Sequence, residues 1–188
     1  MTHCGTGTIE TERLLLRKLR ADDAEAMFRN WASDPEVTRF LTWPPHKSAD
    51  FTRELLSEWV KNYERADYYQ WGIELKAIGE VIGTISVVGM DEQIGMAHIG
   101  YCIGRDWWHQ GIMTETLRAV LSYLFENVRC CRIESRYDIN NPHSGQVMKK
   151  CGMRFEGILR SAARNNQGIC DVGQYAILLE DYLKGSPS

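Results

Sequence analysis

The sequence predicts one domain of the α/β (α+β) class, in which helices flank a single mixed β-sheet. Its length of 188 residues is typical of one domain. Its segments alternate in the order β-α-α-β-β-β-α-β-α-β-β, which gives seven strands and about four helices. Hydrophobic residues make up 44% of the chain and charged residues 25%, a globular composition that excludes a disordered or coiled-coil protein. We place the domain at 9–183, with a flexible N-terminal tail over 1–8 and a C-terminal tail over 184–188.

Helix boundaries are marked by capping residues. Asp22, with Glu25 three residues on, is predicted to form a capping box at the start of the first helix. Ser48 is predicted to cap the second helix. The fourth helix should end at Gly152, since glycine suits the left-handed cap. The turn over 165–168 predicts a hairpin between the last two strands.

Two elements in the middle of the chain have the most regular patterns. Residues 97–104 alternate as a strand, with Ile99, Tyr101 and Ile103 on one face and His98, Gly100 and Cys102 on the other. Residues 111–128 form the clearest helix, because apolar residues recur with helical spacing from Leu117 to Val128.

The charge and the cysteines limit the class of partner. There are 22 Lys and Arg against 25 Asp and Glu, a net charge of −3, so no nucleic-acid partner is expected. No apolar run approaches the ~20 residues of a membrane span, and residues 1–8 lack the basic start and apolar stretch of a secretory signal. The six cysteines form no C-x-x-C pair and none has a histidine at zinc-finger spacing. These features predict a cytoplasmic protein with reduced thiols, no membrane partner and no metal.

The turn over 108–115 joins a strand to the clearest helix. The first N–H groups of a helix have no intrahelical partner, and the helix dipole adds partial positive charge there. Gly111 lets the backbone approach a ligand closely, so a phosphate or pyrophosphate is the natural occupant. The chain has neither a Walker loop nor a G-x-G-x-x-G motif, and taken alone this turn could be an ordinary one.

A second segment makes the pattern specific. Asn141-Pro142-His143-Ser144 opens a helix that closes near Lys149-Lys150-Cys151-Gly152, and residues 11–17 read Thr-Glu-Arg-Leu-Leu-Leu-Arg. With Ile99-Gly100-Tyr101, these segments resemble the GNAT acyl-CoA-dependent N-acetyltransferases, in particular the RimL/RimJ branch that acetylates ribosomal-protein N-termini. The resemblance covers nearly the whole chain. It implies the GNAT fold with a mostly antiparallel sheet, acetyl-CoA as co-substrate without a metal, and a monomer or homodimer.

The resemblance also implies where acetyl-CoA binds. Backbone N–H groups would hold its pyrophosphate at His109, Gln110, Gly111, Ile112, Met113 and Thr114. The pantetheine arm would contact the strand backbone at Tyr101, Cys102 and Ile103. It would also contact Asn141 and Ser144 of the second segment. Relatives usually carry glycine where His109 stands, but the backbone amide is retained.

In the family that this sequence resembles, catalysis needs a base for the amine and a proton for the leaving thiolate. His98 stands where relatives commonly carry Glu, and histidine accepts a proton near pH 7. His98 is therefore the candidate base, or the residue that orients a water acting as the base. Met148 stands where many GNAT enzymes carry the acidic Tyr, which leaves Ser144 to stabilise the thiolate. Either residue could instead be structural, as a strand residue or a helix cap.

Aromatic residues of the first half are candidates for the acceptor cleft. We assign to it Trp31, Phe40, Trp43 and Trp71, although aromatic residues are also common in cores. The predicted function is transfer of an acetyl group to a primary amine, with a protein N-terminal amine as the first candidate. The alternatives are a small-molecule amine (polyamine, amino acid or amino sugar), a non-catalytic acyl-CoA-binding protein and an interaction module.

Overall fold

The computed structural model describes residues 1–185 and builds them around one eight-stranded sheet. The strands are β1 (Ile9–Glu10), β2 (Leu14–Arg17), β3 (Gln70–Leu75), β4 (Glu80–Asp91), β5 (Met96–Ile103), β6 (Arg132–Asp138), β7 (Arg154–Asn165) and β8 (Gly168–Leu178). The additional strand arises because the segment expected as one strand over 9–17 folds into β1 and β2. These two pair antiparallel, and the Thr11 N–H donates to the Leu14 carbonyl at 3.0 Å to close the turn between them.

The helices are α1 (Ala24–Met27), α2 (Pro35–Thr38), α3 (Ala49–Asn62), α4 (Ile112–Glu126), α5 (Pro142–Lys150) and α6 (Leu179–Gly185). A 3-10 turn over Ala21–Asp23 leads into α1, and a π-helical turn over Phe28–Ala32 follows it. The short helices α2 and α6 were not predicted. Lys184 and Gly185 end α6 instead of beginning a tail, and 186–188 lie outside the described residues.

The sheet order is β1-β2-β3-β4-β5-β6-β8-β7. Every neighbouring pair is antiparallel except β5 and β6, which run parallel. The fold is therefore a mixed, mostly antiparallel sheet, as predicted. The single parallel pair lies in the middle of the sheet, and it is the place where the chain crosses over through α4.

Helices cover both faces of the sheet. Ile82 and Val81 are neighbours in β4, so their side chains point to opposite faces, and both are fully buried. The cluster on the Ile82 face includes α4 and Met148 of α5. The cluster on the Val81 face includes Leu56 of α3 and Trp31 of the π-helical turn. The buried face of α4 matches the predicted helical stripe, because Leu117, Val120, Leu121, Leu124 and Phe125 are all buried.

Two predicted caps have different outcomes. Ser48 is confirmed as the cap of α3, because its hydroxyl oxygen accepts the Phe51 N–H at 3.1 Å. The expected capping box of Asp22 with Glu25 is wrong, because the box that forms joins Arg20 and Asp23. The Asp22 side chain is exposed, whereas the Asp23 carboxylate accepts the Arg20 N–H at 2.7 Å.

The first eight residues are held against the sheet, which corrects the expected flexible N-terminal tail. The Trp71 indole N–H donates to the Gly7 carbonyl at 2.6 Å, and the Tyr123 hydroxyl donates to the Gly5 carbonyl at 2.7 Å. The Thr6 hydroxyl accepts the Gln70 N–H at 3.0 Å. These bonds satisfy backbone groups that an unattached tail would leave to water.

Candidate active site

A gap opens between β5 and β6. The two strands pair only over Met96–Ile99 and Arg132–Ser135. Beyond that point β5 stays paired with β4 as far as Ile103, and β6 stays paired with β8 as far as Asp138. We call the space between the diverging ends the β5–β6 gap.

Backbone groups of β5 line this gap. The Gly104 N–H donates to the Ile82 carbonyl of β4 at 2.9 Å. Antiparallel strands alternate the direction of their backbone groups, so Tyr101 and Ile103 direct theirs into the gap. The same alternation turns the backbone of Cys102 toward β4. The predicted cofactor contact through the Cys102 backbone is therefore corrected, whereas Tyr101 and Ile103 are suitably oriented.

Tyr101 and Ser144 meet at the edge of the gap. The Tyr101 hydroxyl donates to the Ser144 carbonyl at 2.9 Å, and the Ser144 hydroxyl donates to the Tyr101 oxygen at 3.2 Å. Burial raises the pKa of the Tyr101 phenol, which keeps it protonated at neutral pH. Asn141 directly precedes α5, and its carbonyl accepts the Ser144 N–H at 3.1 Å. Met148 is fully buried in the core and supplies no proton donor.

The turn predicted to bind an anion lies next to this gap. Gly111 caps α4 with φ +76°, and His109 has φ +61°. Both values lie in the left-handed region, where glycine is strongly favoured. The Trp108 indole N–H donates to the Ile103 carbonyl at 2.9 Å and ties the turn to the end of β5.

The side chains of this turn point away from its backbone N–H groups, which are therefore available to a ligand. Ile112 and Met113 bury their side chains in the core, while residues 109–111 are exposed. The Gln110 side chain folds back and donates to the Asp106 carbonyl at 2.7 Å. The first N–H groups of α4, up to Thr114, are those that a helix leaves without intrahelical partners. The turn can therefore bind an anion through its backbone alone.

His98 lies on the opposite face of β5 from Tyr101, because side chains alternate along a strand. It pairs in register with Glu134 of β6, and His98 Nδ1 lies 3.9 Å from Glu134 Oε1. Burial lowers the pKa of His98, the positive charge of Arg136 lowers it further, and Glu134 partly opposes the shift. His98 is therefore neutral at pH 7 and can accept a proton.

The aromatic residues predicted for the acceptor cleft divide into two pairs. Trp31 and Trp71 are fully buried in the two core clusters, which corrects their assignment to the cleft. Phe40 and Trp43 are partly exposed in the loop between α2 and α3. Helix α3 packs on the face of the sheet that carries Cys102 and His98, so this loop lies on the His98 side.

The β7–β8 hairpin fixes that loop. The Asn166 side chain donates to the Thr38 carbonyl at 2.8 Å and to the Trp43 carbonyl at 2.7 Å. The Asn166 backbone N–H donates to the Leu41 carbonyl at 3.1 Å. Sequence reasoning placed the hairpin turn correctly but missed this role. No local pattern shows that Asn166 reaches a loop more than a hundred residues earlier in the chain.

Within residues 1–185, no three His, Cys, Asp or Glu side chains are grouped so that they could hold a metal ion. Over the same part of the chain, no helix has the length and apolar character needed to cross a membrane.

Comparison with known proteins identifies the family. A family model described as "Acetyltransferase (GNAT) domain" matches residues 13–154. This chain therefore belongs to the GNAT acetyltransferase family, whose members use acetyl-CoA, and it is an N-acetyltransferase by class.

Named relatives extend over most of the chain. It is 30% identical over 175 residues to the uncharacterized N-acetyltransferase p20 of Bacillus licheniformis, covering 93% of this chain and 98% of that protein. It is 33% identical over 158 residues to the [ribosomal protein uS5]-alanine N-acetyltransferase of Escherichia coli, covering 79% of each. The fold matches that of RimL, a ribosomal L7/L12 α-N-protein acetyltransferase solved with coenzyme A. The TM-score is 0.82 at 21% identity, over 93% of this chain and 99% of RimL.

Proposed function

We propose that this protein transfers the acetyl group of acetyl-CoA to the N-terminal amine of a protein. The observation that carries the proposal is the β5–β6 gap, which has an anion-binding turn at its end and a neutral histidine on one face. Acetyl-CoA supplies the acetyl thioester. The named relatives that act on ribosomal proteins support a protein acceptor.

The residues of this site fit acetyl-CoA. The backbone N–H groups of 109–114 would hold the pyrophosphate, because they surround a helix N-terminus with two residues in the left-handed conformation. The backbone of Tyr101 and Ile103 would bind the pantetheine arm. An N–H of β5 directed into the gap would polarise the thioester carbonyl, as preorganised donors do in acyl transfer. Asn141 would contact the arm from the other side.

The two faces of β5 divide the chemistry. The amine acceptor would approach from the side of His98, between that residue and the loop bearing Phe40 and Trp43. His98 would take the proton from the amine as it attacks. Ser144, held by Tyr101 on the opposite face, would turn its single O–H from the Tyr101 oxygen to the sulfur and stabilise the departing thiolate by hydrogen bonding.

An N-terminal amine is a weak enough base that a histidine can serve as the catalytic base. An α-amino group with a pKa of 7.7–8.0 is roughly a tenth neutral at pH 7, whereas a lysine near 10.4 is only about four in ten thousand neutral. A histidine whose pKa is lowered below its usual value serves the first class of amine better than the second. This favours N-terminal amines over lysine side chains.

The test begins with binding. Acetyl-CoA at 100 times its Kd should stabilise the folded protein by about 2.7 kcal/mol, which is several degrees of Tm for a chain of this size. NAD and ATP serve as controls. No shift with acetyl-CoA would contradict the proposal at its first step.

The acceptor is then identified by mass spectrometry of the products. Peptides with a free N-terminal Ala, Ser or Met are compared with the same peptides blocked at the N-terminus and carrying an internal lysine. We expect acetylation only of the free N-termini. Transfer only to polyamines, amino acids or amino sugars would replace the protein acceptor by a small molecule. Binding without transfer to any amine would indicate a non-catalytic acyl-CoA-binding protein.

A further inference from the structure

Glu115 places a carboxylate in the first turn of α4, beside the proposed phosphate site. Its N–H donates to the Gly111 carbonyl at 3.0 Å, the first regular bond of that helix. A carboxylate there is favourable to the helix dipole, but it repels an anionic ligand at the same N-terminus. A helix end that binds pyrophosphate therefore needs the charge of Glu115 to be neutralised.

Arg13 supplies the neutralising charge. Arg13 Nε and Nη2 each lie 2.7 Å from Glu115 Oε2, and the Arg13 N–H donates to Oε1 at 3.1 Å. The Thr11 hydroxyl donates to the same Oε1 at 2.7 Å. Burial alone would raise the pKa of Glu115, but the bonds from Thr11 and Arg13 outweigh it and lower that pKa. The carboxylate is thus ionised and fully engaged.

The same guanidinium also holds the anion-binding turn. Arg13 Nη1 donates to the Gln110 carbonyl at 3.0 Å. A Cβ atom built on Gly111 would lie 3.7 Å from Arg13 Nη2, so the cation lies directly beside the turn. These contacts use three of the five N–H bonds of an arginine, and the side chain is 42% exposed. The cation therefore has N–H bonds that can face a ligand.

We propose that Arg13 is a positioning residue for acetyl-CoA binding, which fixes the turn through Gln110 and cancels the charge of Glu115 next to the pyrophosphate. This inference rests on the proposed function, because it takes acetyl-CoA as the ligand of the turn. It assigns a role to residues 11–13, which lie on the β1–β2 turn, far from α4 in the sequence.

The test compares four proteins: wild type, Arg13→Met, Glu115→Gln and the double variant. Arg13→Met exposes the cofactor to an uncompensated carboxylate, so we expect its KM for acetyl-CoA to rise by about tenfold while kcat changes by less than about threefold. In the double variant that carboxylate is also removed, so most of the lost affinity should return. This recovery is a result that a merely structural role of Arg13 would not give.

Arg53→Met is the matched control, because Arg53 is 43% exposed and, like Arg13, forms salt bridges to carboxylates, in its case those of Glu25 and Asp50. It should leave the KM for acetyl-CoA unchanged. The acetyl-CoA-induced rise in Tm is measured for all variants as a readout independent of turnover. A shift in Arg13→Met as large as that of the wild type, or a double variant that binds acetyl-CoA as weakly as Arg13→Met, would overturn the inference. The absence of any wild-type shift would instead defeat the proposed function, and this inference with it.

Discussion

The hydroxyl of Ser144 and the hydroxyl of Tyr101 are hydrogen-bonded to each other at the edge of the β5–β6 gap. Ser144 donates to the Tyr101 oxygen at 3.2 Å, and Tyr101 returns a bond to the Ser144 carbonyl at 2.9 Å. The two bonds fix both the rotamer of Ser144 and the first turn of α5. The sequence identified both residues, but it assigned Tyr101 only a backbone contact.

Replacing Tyr101 by Phe tests whether this pair works as a unit. Tyr101→Phe should lower kcat by about tenfold, because Ser144 loses the partner that orients its hydroxyl, while the KM for acetyl-CoA changes by less than about twofold. Ser144→Ala should lower kcat similarly. The double variant should be no worse than the poorer single one, because groups that act together are not additive. Multiplicative losses measured in steady-state kinetics would show that the two residues act independently.

The pH dependence of the reaction tests His98 as the base. A histidine must be neutral to act as a base, and burial lowers the pKa of His98 from its usual 6.5. The wild-type kcat/KM should fall about tenfold per pH unit below the amine's own pKa of 7.7–8.0, and it should show a steeper acidic limb below pH 6.5, where His98 also becomes protonated. His98→Ala should lower kcat/KM at pH 7 by about a hundredfold and abolish that steeper acidic limb, leaving only the titration of the amine.

The control for this profile is His3→Gln. His3 lies on the N-terminal segment, where its Nδ1 is 3.0 Å from the Tyr69 hydroxyl. The variant should keep the acidic limb of the wild type. Little loss of kcat/KM at pH 7 in His98→Ala would leave His98 as a strand residue and move the search for a base to ordered water in the cleft.

Periodicity predicted those parts of the fold that depend on local sequence. The helical stripe of α4 and the two faces of β5 both follow from it, since burial repeats every turn or every second residue. The break between β1 and β2 was missed, although the turn is closed locally by the bond between Thr11 and Leu14. The further bonds of Thr11 and Arg13 to Glu115, more than a hundred residues away, have no local sequence signal.

The site was predicted less completely, for the same physical reason. The sequence places Cys102 on β5, but only its register with β4 shows that its backbone turns away from the gap. Trp31 and Trp71 are aromatic, a property that suits a cleft and a core equally. The partner of His98, Glu134, depends on the parallel pairing of β5 with β6, which no local pattern contains.

His109 provides a test of whether the phosphate site uses backbone or side chain. Its φ of +61° costs about 1 kcal/mol or more for a residue other than glycine. His109→Gly removes that strain but makes the unfolded chain more flexible by about 0.4–1 kcal/mol, so we expect stability to stay equal or rise slightly. Since the amide is retained, the KM for acetyl-CoA should stay within about threefold of wild type.

Two further substitutions make the measurement specific. His109→Ala keeps the strain but loses the ring contact with His143, whose centroid lies 4.7 Å away, and therefore separates these two effects. His109→Pro removes the N–H, and proline cannot adopt a positive φ. This variant should therefore abolish the acetyl-CoA-induced rise in Tm. A large increase in KM in both His109→Gly and His109→Ala would show that the imidazole itself binds the cofactor.

Asn166 should control the acceptor and not the cofactor. Its three hydrogen bonds hold the loop bearing Phe40 and Trp43 on the His98 side of the sheet. Asn166→Ala leaves the Thr38 and Trp43 carbonyls without these donors and keeps only the backbone bond to Leu41. The loop is then held less firmly, so we expect the KM for the peptide acceptor to rise by about tenfold. The KM for acetyl-CoA should be unchanged, because Asn166 bonds to Thr38, Leu41 and Trp43 and not to the turn over 108–115, the proposed pyrophosphate site. Gln167→Ala, at the exposed neighbouring position, is the matched control and should affect neither value. Equal increases in both KM values would mean that the hairpin supports the whole sheet, and the acceptor would then have to be sought away from the α2–α3 loop.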